Sequence, residues 1–98
     1  DMAAGVNQGY LLALRLGQLK DAGEITTEQI SMGKRQNVRM AREVAASART
    51  VLGANGVTLE YPVLRHMNNL ESVFTYEGTD EIHTLSVGMA LTGIPAFK

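Results

Sequence analysis

The chain has no cysteine and no tryptophan, only two prolines, and an aromatic set limited to three tyrosines and two phenylalanines. Without cysteine there are no disulfides, no thiolate metal sites and no cysteine nucleophile. Charge of neither sign is in excess: nine Lys and Arg stand against ten Asp and Glu, for a formal net charge of −1. No basic surplus is available to neutralise a phosphate backbone, which argues against a nucleic-acid partner. No apolar run approaches the roughly 18 residues that a membrane span needs, and internal repeats, linkers and low-complexity stretches are missing as well. What remains is 98 residues, 45% hydrophobic and 19% charged. That is the composition of one globular domain at most. A chain this short buries only about 60–65% of its unfolded surface, so a core of its own would be marginal. It opens Asp1-Met2-Ala3-Ala4, with no initiator methionine, basic segment or cleavage signal, and enters a helical pattern at once. The expectation is a piece of a longer protein.

Helical periodicity dominates. Residues 2–22 are predicted as a helix with Met2, Val6, Tyr10, Ala13 and Gly17 on one stripe. Leu11, Leu12, Leu14, Leu16 and Leu19 make it apolar almost all round and therefore core-forming. Gly23 is its expected left-handed stop. Residues 26–52 form the longest predicted helix, opened by a Thr26/Gln29 capping box. Its inward stripe is Ile30, Gly33, Asn37, Val38, Ala41, Val44, Ala45, Ala48, Val51 and Leu52. Lys34, Arg35, Arg39, Arg42 and Arg49 make the rest basic, either as a solvated face or as a contact for an anionic cofactor or partner subunit. Gly53-Ala54-Asn55-Gly56 ends this helix in a turn. A short helix over residues 60–70 follows, with Pro62 near its first position. Ser72 to Tyr76, β-branched and aromatic, is predicted to be extended or irregular. A last helix runs over residues 79–92, capped by Thr79, with Asp80 and Glu81 in its first turn and Gly93 and Pro95 as stops. The fold class is all-α: part of an up-down helical bundle, short of helices it should pack against.

Few residues offer chemistry. Asp80 and His83 have the three-residue spacing of helix-borne metal ligands, but no second such pair exists and His66 lies on another helix, so no metal site is expected. Ser31, Ser47, Ser72 and Ser86 lack a Gly-x-Ser-x-Gly elbow. Tyr76-Glu77-Gly78-Thr79 differs. Glu77 directly precedes a helix N-terminus, with aromatic and apolar residues before it and glycine after it. A carboxylate there meets two opposing influences, desolvation against the anion and the helix dipole in its favour. It suits a general base in a dry cleft, but the residues by themselves favour a capping glutamate over that reading.

Thr75-Tyr76-Glu77-Gly78-Thr79-Asp80-Glu81-Ile82-His83 resembles the catalytic segment of the acyl-CoA dehydrogenase family. Leu52-Gly53-Ala54-Asn55-Gly56-Val57, with Glu60-Tyr61-Pro62-Val63 and Arg65-His66, resembles the family's glycine turn and the short helix after it. Leu16-Gly17-Gln18-Leu19-Lys20-Asp21 and Leu91-Thr92-Gly93-Ile94-Pro95-Ala96-Phe97 are most similar to the glutaryl-CoA dehydrogenase branch. The resemblance covers essentially the whole chain. It implies the C-terminal helical-bundle region, residues 1–98, of a flavoenzyme whose N-terminal helical and middle β domains lie elsewhere. It implies a homotetramer, an FAD cofactor, an acyl-CoA substrate and an electron-transfer flavoprotein as redox partner. In that family a glutamate matching Glu77 takes the α-proton while a β-hydride moves to the flavin; for a glutaryl substrate the product then loses carbon dioxide to give crotonyl-CoA. The resemblance places Gly78 beside the substrate. It places Thr79 and Phe97 against FAD, and Thr50, Val51, Leu52, Gly53 and Ala54 on FAD across a subunit interface. Bacterial cytoplasm and mitochondrial matrix both remain open as locations. Two positions depart from the family: Ala54 stands where a second glycine is usual, and Met89 where arginine is common.

Overall fold

The computed structural model describes residues 1–97. Four helices follow in order, α1 (Met2–Asp21), α2 (Thr27–Val51), α3 (Val63–Thr75) and α4 (Asp80–Thr92), with a 3-10 turn at Gly53–Val57 after α2. Among the described residues there is no strand, so the all-α class predicted from periodicity holds. No helix among the described residues is long and apolar enough to cross a membrane.

The capping chemistry works as the sequence implies. Thr26 Oγ1 accepts from the Gln29 backbone N–H at 3.3 Å, and Gln29 Oε1 accepts from the Thr26 N–H at 3.0 Å. Two otherwise unpaired donors are thereby satisfied. Thr79 opens α4 by accepting from the Ile82 N–H. Gly23 (φ +73°) and Gly93 (φ +71°) supply the left-handed residues that stop α1 and α4.

α2 is the hub: α1, α3 and α4 each pack on it and touch one another little. At 25 residues it is about 37 Å long. α1 runs antiparallel to it and approaches closely, because the side chains at the crossing are small. A Cβ on Gly9 would meet Met40 Cε at 2.4 Å and one on Gly33 would meet Leu16 Cδ1 at 2.3 Å. Asn37 Nδ2 donates to the Gly9 carbonyl across this contact at 3.0 Å. The face of α1 turned to α2 is therefore Gly5, Gly9, Leu12 and Leu16. It is not the predicted Met2–Gly17 stripe, in which Val6 and Tyr10 are exposed. Hydrophobicity marked too broad a face; glycine marked where the backbones meet.

Three further expectations change. The segment after Leu70 is not extended, since α3 continues to Thr75. Its β-branched residues cost a few tenths of a kcal/mol each in helix propensity. Carrying Val63, His66, Leu70 and Val73 along one face over Ala41, Val44 and Ala48 of α2 outweighs that. α3 also starts later than expected, with Pro62 as N-cap. The glycine turn is a wound 3-10 segment that extends to Val57.

The packing leaves much undone. Ala45 is the one buried hydrophobic residue among those described, and the leucines expected in a core include exposed Leu11 and Leu14. Ile30 and Val51, predicted to face inward on α2, are exposed too. Accessible surface is 7000 Å², against about 5500 Å² for a compact monomer of this mass. The radius of gyration is 15.9 Å, against about 12.6 Å for a compact chain of this length. Apolar grooves of about 460 and 450 Å³ flank α2, one under Val6, Met40, Val44 and Leu70, the other under Leu16, Ile30, Val38 and Val73. These are the faces of a bundle built to be covered.

Candidate functional site

The loop between α3 and α4 is four residues with an unusual backbone. Tyr76 is extended (φ −79°, ψ 163°), Glu77 sits at φ +53°, Gly78 at φ +92°, and Thr79 returns to the extended region to cap α4. Glu77 is the sole non-glycine residue with positive φ among those described. A non-glycine side chain there is disfavoured by about 1–2 kcal/mol. Such strain persists only where the surroundings over-determine it.

They do so here. Lys34 Nζ, from α2, donates to the Tyr76 carbonyl at 2.7 Å and to the Gly78 carbonyl at 2.6 Å. His83 Nε2, from α4, lies 3.1 Å from the Glu77 carbonyl between them. Three successive carbonyls are thus held by two side chains from two helices. Glycine is required next: a Cβ on Gly78 would sit 2.7 Å from His83 Nε2.

The first turn of α4 is fixed in its own right. Arg39 grips Asp80 through two hydrogen bonds, Nε to Oδ1 at 2.7 Å and a second from its terminal nitrogen to Oδ2. Arg35 stands 3.9 Å from the same carboxylate and donates to Thr84 Oγ1 at 2.6 Å. Asp80 is 5% exposed. The hydrogen bond from Arg39 holds its carboxyl below the usual range, against the opposing effect of burial, with the charges of Arg39, Arg35 and Arg42 adding to the lowering. Arg42, also on α2, reaches α3: it donates to Glu71 Oε1 and lies 4.1 Å from the centre of the Phe74 ring.

These contacts overturn two expectations. The basic residues of α2 are neither merely solvated nor reserved for an external anion; Lys34, Arg35, Arg39 and Arg42 cross-link α2 to the two elements around the loop. Nor is Glu77 a capping glutamate: Thr79 fills that role, and among the described residues no hydrogen bond involves the Glu77 carboxylate. Its side chain is exposed, as is Tyr76. Asp80 and His83 serve Arg39 and the loop backbone, and no cluster of metal-ligating residues occurs among the described residues.

The remaining site residues lie elsewhere. Thr79 flanks Gly78 at the loop. Thr50 to Ala54 lie at the far end of α2, sixteen residues beyond Lys34 and so about 24 Å along the axis. Thr50, exposed, donates from Oγ1 to the Ala46 carbonyl at 3.0 Å. Val51 is 76% exposed, Gly53 is at φ +59°, and nothing lies within 4 Å of a Cβ built on it. The turn is pinned one step later, where a Cβ on Gly56 would meet the Arg49 carbonyl at 2.4 Å. Ala54 does not have positive φ, so its methyl group is unstrained. Phe97, 69% exposed, lines a groove of about 380 Å³ with Pro95, Ala96, Ile82, Leu85 and Met89. Nothing in the structure explains methionine at position 89. One chain therefore brings Glu77, Gly78 and Thr79 together and keeps Thr50–Ala54 apart from them. Sequence reasoning missed Lys34 and His83 as loop-holding residues. The run of cations was visible, but not the carbonyls it faces.

Comparison with known proteins shows the family and the fold. Residues 1–92 match the family model for the acyl-CoA dehydrogenase C-terminal domain. A glutaryl-CoA dehydrogenase from Mycobacterium smegmatis superposes with a TM-score of 0.93 at 63% identity, covering 97% of this chain and 24% of that one. A glutaryl-CoA dehydrogenase from the same organism in complex with FADH2 gives 0.94 at 57% identity, covering 99% and 25%. The short-chain specific acyl-CoA dehydrogenase of Megasphaera elsdenii is 31% identical over 91 residues, 93% of this chain and 24% of that protein. The chain thus spans about a quarter of the length of the relatives it matches. By sequence and by the fold that carries the Glu77 loop, it belongs to the acyl-CoA dehydrogenase family, as a C-terminal helical domain.

Proposed function

We propose that this chain is the C-terminal helical region of an FAD-dependent acyl-CoA dehydrogenase of the glutaryl-CoA type, with Glu77 as the catalytic base. The observation that carries the reading is the loop. A carboxylate without a hydrogen-bond partner is presented outward from a backbone whose neighbouring carbonyls are all tied down. A base that must meet a substrate needs that combination of free side chain and fixed main chain.

The residues present suit a flavin. The backbone at Gly53 is open to close approach, Val51 offers exposed apolar surface, and Phe97 is an exposed aromatic side chain lining a groove. Thr50 to Ala54 and Thr79 would hold it from two different subunits, because the length of α2 parts them in one. A homotetramer, as in the family, provides the second subunit and covers the apolar faces of α1 and α2. A flavin bound there supplies the two-electron acceptor for the hydride leaving the β-carbon.

Glu77 takes the α-proton of the acyl-CoA thioester, and the C–H electron pair becomes the new α,β double bond. The Glu77 backbone N–H would donate to the thioester carbonyl, where negative charge develops. Gly78 lets the acyl chain pass close to the main chain. With a glutaryl substrate, loss of carbon dioxide from the enoyl product gives crotonyl-CoA. Electron-transfer flavoprotein is the proposed external acceptor. The 98 residues alone are inactive, since Glu77 stands exposed and Thr50 to Ala54 would serve the flavin of a neighbouring subunit. As an isolated piece the chain is an assembly and FAD-interface module.

The test is a substrate panel on the assembled holoenzyme, with product masses. Glutaryl-CoA giving crotonyl-CoA and carbon dioxide in one-to-one yield is expected. Turnover of butyryl-CoA without turnover of glutaryl-CoA overturns the glutaryl assignment and leaves the dehydrogenase reading in place. No reduction of the flavin by any acyl-CoA overturns both.

A further inference from the structure

We infer that Lys34 is a positioning residue for the proposed base: its ammonium fixes the backbone on both sides of Glu77 and so sets where the carboxylate points. The inference rests on the reading of Glu77 given above and goes beyond it.

Lys34 has three N–H donors, and two go to the carbonyls of Tyr76 and Gly78, residues that bracket Glu77. Its ammonium also lies 5.7 Å from the centre of the Tyr76 ring. Neighbouring carbonyls turned toward one point repel each other, and a cation between them converts that repulsion into attraction. Two carbonyls gathered at one nitrogen define the orientation of the peptide units that flank Glu77. His83 holds the third carbonyl, from α4. Positive φ at Glu77 is the strained outcome of these ties. Without the ammonium, nothing on α2 opposes relaxation of Glu77 to negative φ. That relaxation swings its Cα–Cβ bond and carries the carboxylate away. Lys34 never touches substrate; it acts through the main chain. Its own tether is the body of α2, where Arg35 and Arg39 clamp the start of α4 and keep the loop in reach.

The experiment compares Lys34→Met, Lys34→Arg, Glu77→Gln and the pair Lys34→Met/Glu77→Gln in the assembled holoenzyme. Stopped-flow bleaching of the flavin by substrate gives the reductive rate, and titration with product gives binding. Lys34→Met should keep flavin content and hold product affinity within about threefold, yet slow flavin reduction roughly 10- to 100-fold, the loss expected when a base is misplaced by about 1 Å. Lys34→Arg, which keeps the charge and several N–H donors, should recover at least part of that loss. Added to Glu77→Gln, Lys34→Met should cost nothing further, because the residue it positions is already disabled. The parent's rate in Lys34→Met, or a full further loss in the pair, overturns the inference. The parent's rate in Glu77→Gln overturns instead the assignment of the base. If Lys34→Met fails to assemble, it is combined with Glu77→Gly, since glycine carries no penalty at φ +53°. Assembly of that pair supports a lysine that holds strain, and failure to assemble shows a purely structural lysine and overturns the proposal.

Discussion

Replacing Gly78 by alanine tests the loop geometry where it is tightest. Two costs add. At φ +92° an L-residue is disfavoured, by about 1–2 kcal/mol. The new methyl would also lie 2.7 Å from His83 Nε2 and 2.9 Å from Cε1, so the ring must swing away. That movement breaks the 3.1 Å contact with the Glu77 carbonyl, worth about 1 kcal/mol. The sum is roughly 2–3 kcal/mol, most of it spent in the backbone. In the holoenzyme, Gly78→Ala should lower the unfolding temperature by several degrees and slow flavin reduction together with it. A second variant separates the two costs. In a His83→Ala background the clash is gone, so Gly78→Ala should cost only the backbone part, and the two substitutions should be coupled by about 1 kcal/mol. If Gly78→Ala melts and reacts like the parent, the left-handed loop is wrong and the argument about Glu77 goes with it.

Other consequences follow from the same contacts. The carboxyl of Asp80 is held below its usual range in the folded protein, chiefly by the hydrogen bond from Arg39. Its stabilising effect is therefore fully present above the unfolded value, about 4, and lost as pH falls through the lower folded value. The stability gap between parent and Asp80→Asn should stay constant from about pH 8 to 5 and narrow below about pH 4; a gap that widens in acid contradicts the ion pair. Ala54→Gly should leave flavin affinity unchanged within about threefold by equilibrium dialysis, because Ala54 has no positive φ to relieve. Markedly tighter binding would show a strain that the structure lacks. The 98 residues expressed alone should bind a hydrophobic dye strongly, self-associate in sedimentation and carry no flavin, given their exposed apolar faces. A yellow, monodisperse monomer refutes the view that those faces are made to be covered.

Local chemistry was legible in the sequence and spatial chemistry was not. Thr26 with Gln29, Thr79, Gly23 and Gly93 each act within a few residues of themselves, so their spacing was enough to locate helix ends. The glutamate before α4 could be singled out on the same ground. What holds that glutamate could not. Lys34 and Tyr76 are 42 residues apart, and no periodicity links an ammonium to a backbone carbonyl. The Arg39–Asp80 pair is equally remote in sequence, so Arg39 looked like one more solvated cation. α3 outran its prediction because propensity weighs Val73 by its β-branch, whereas the fold uses its place on the face toward α2. The α1 face was misjudged because leucines draw attention on a helix that is apolar all round, while contact with α2 is decided by Gly5 and Gly9.

The most direct test of the central claim is single-turnover reduction of the holoenzyme flavin by substrate in Glu77→Gln. Glutamine keeps the shape of the side chain and the loop backbone but cannot accept the α-proton. The account predicts a full complement of flavin, substrate binding close to that of the parent, and a reduction rate lower by a factor of at least about 10² to 10⁴. Bleaching at the parent's rate would contradict it, and would remove Glu77 from the chemistry.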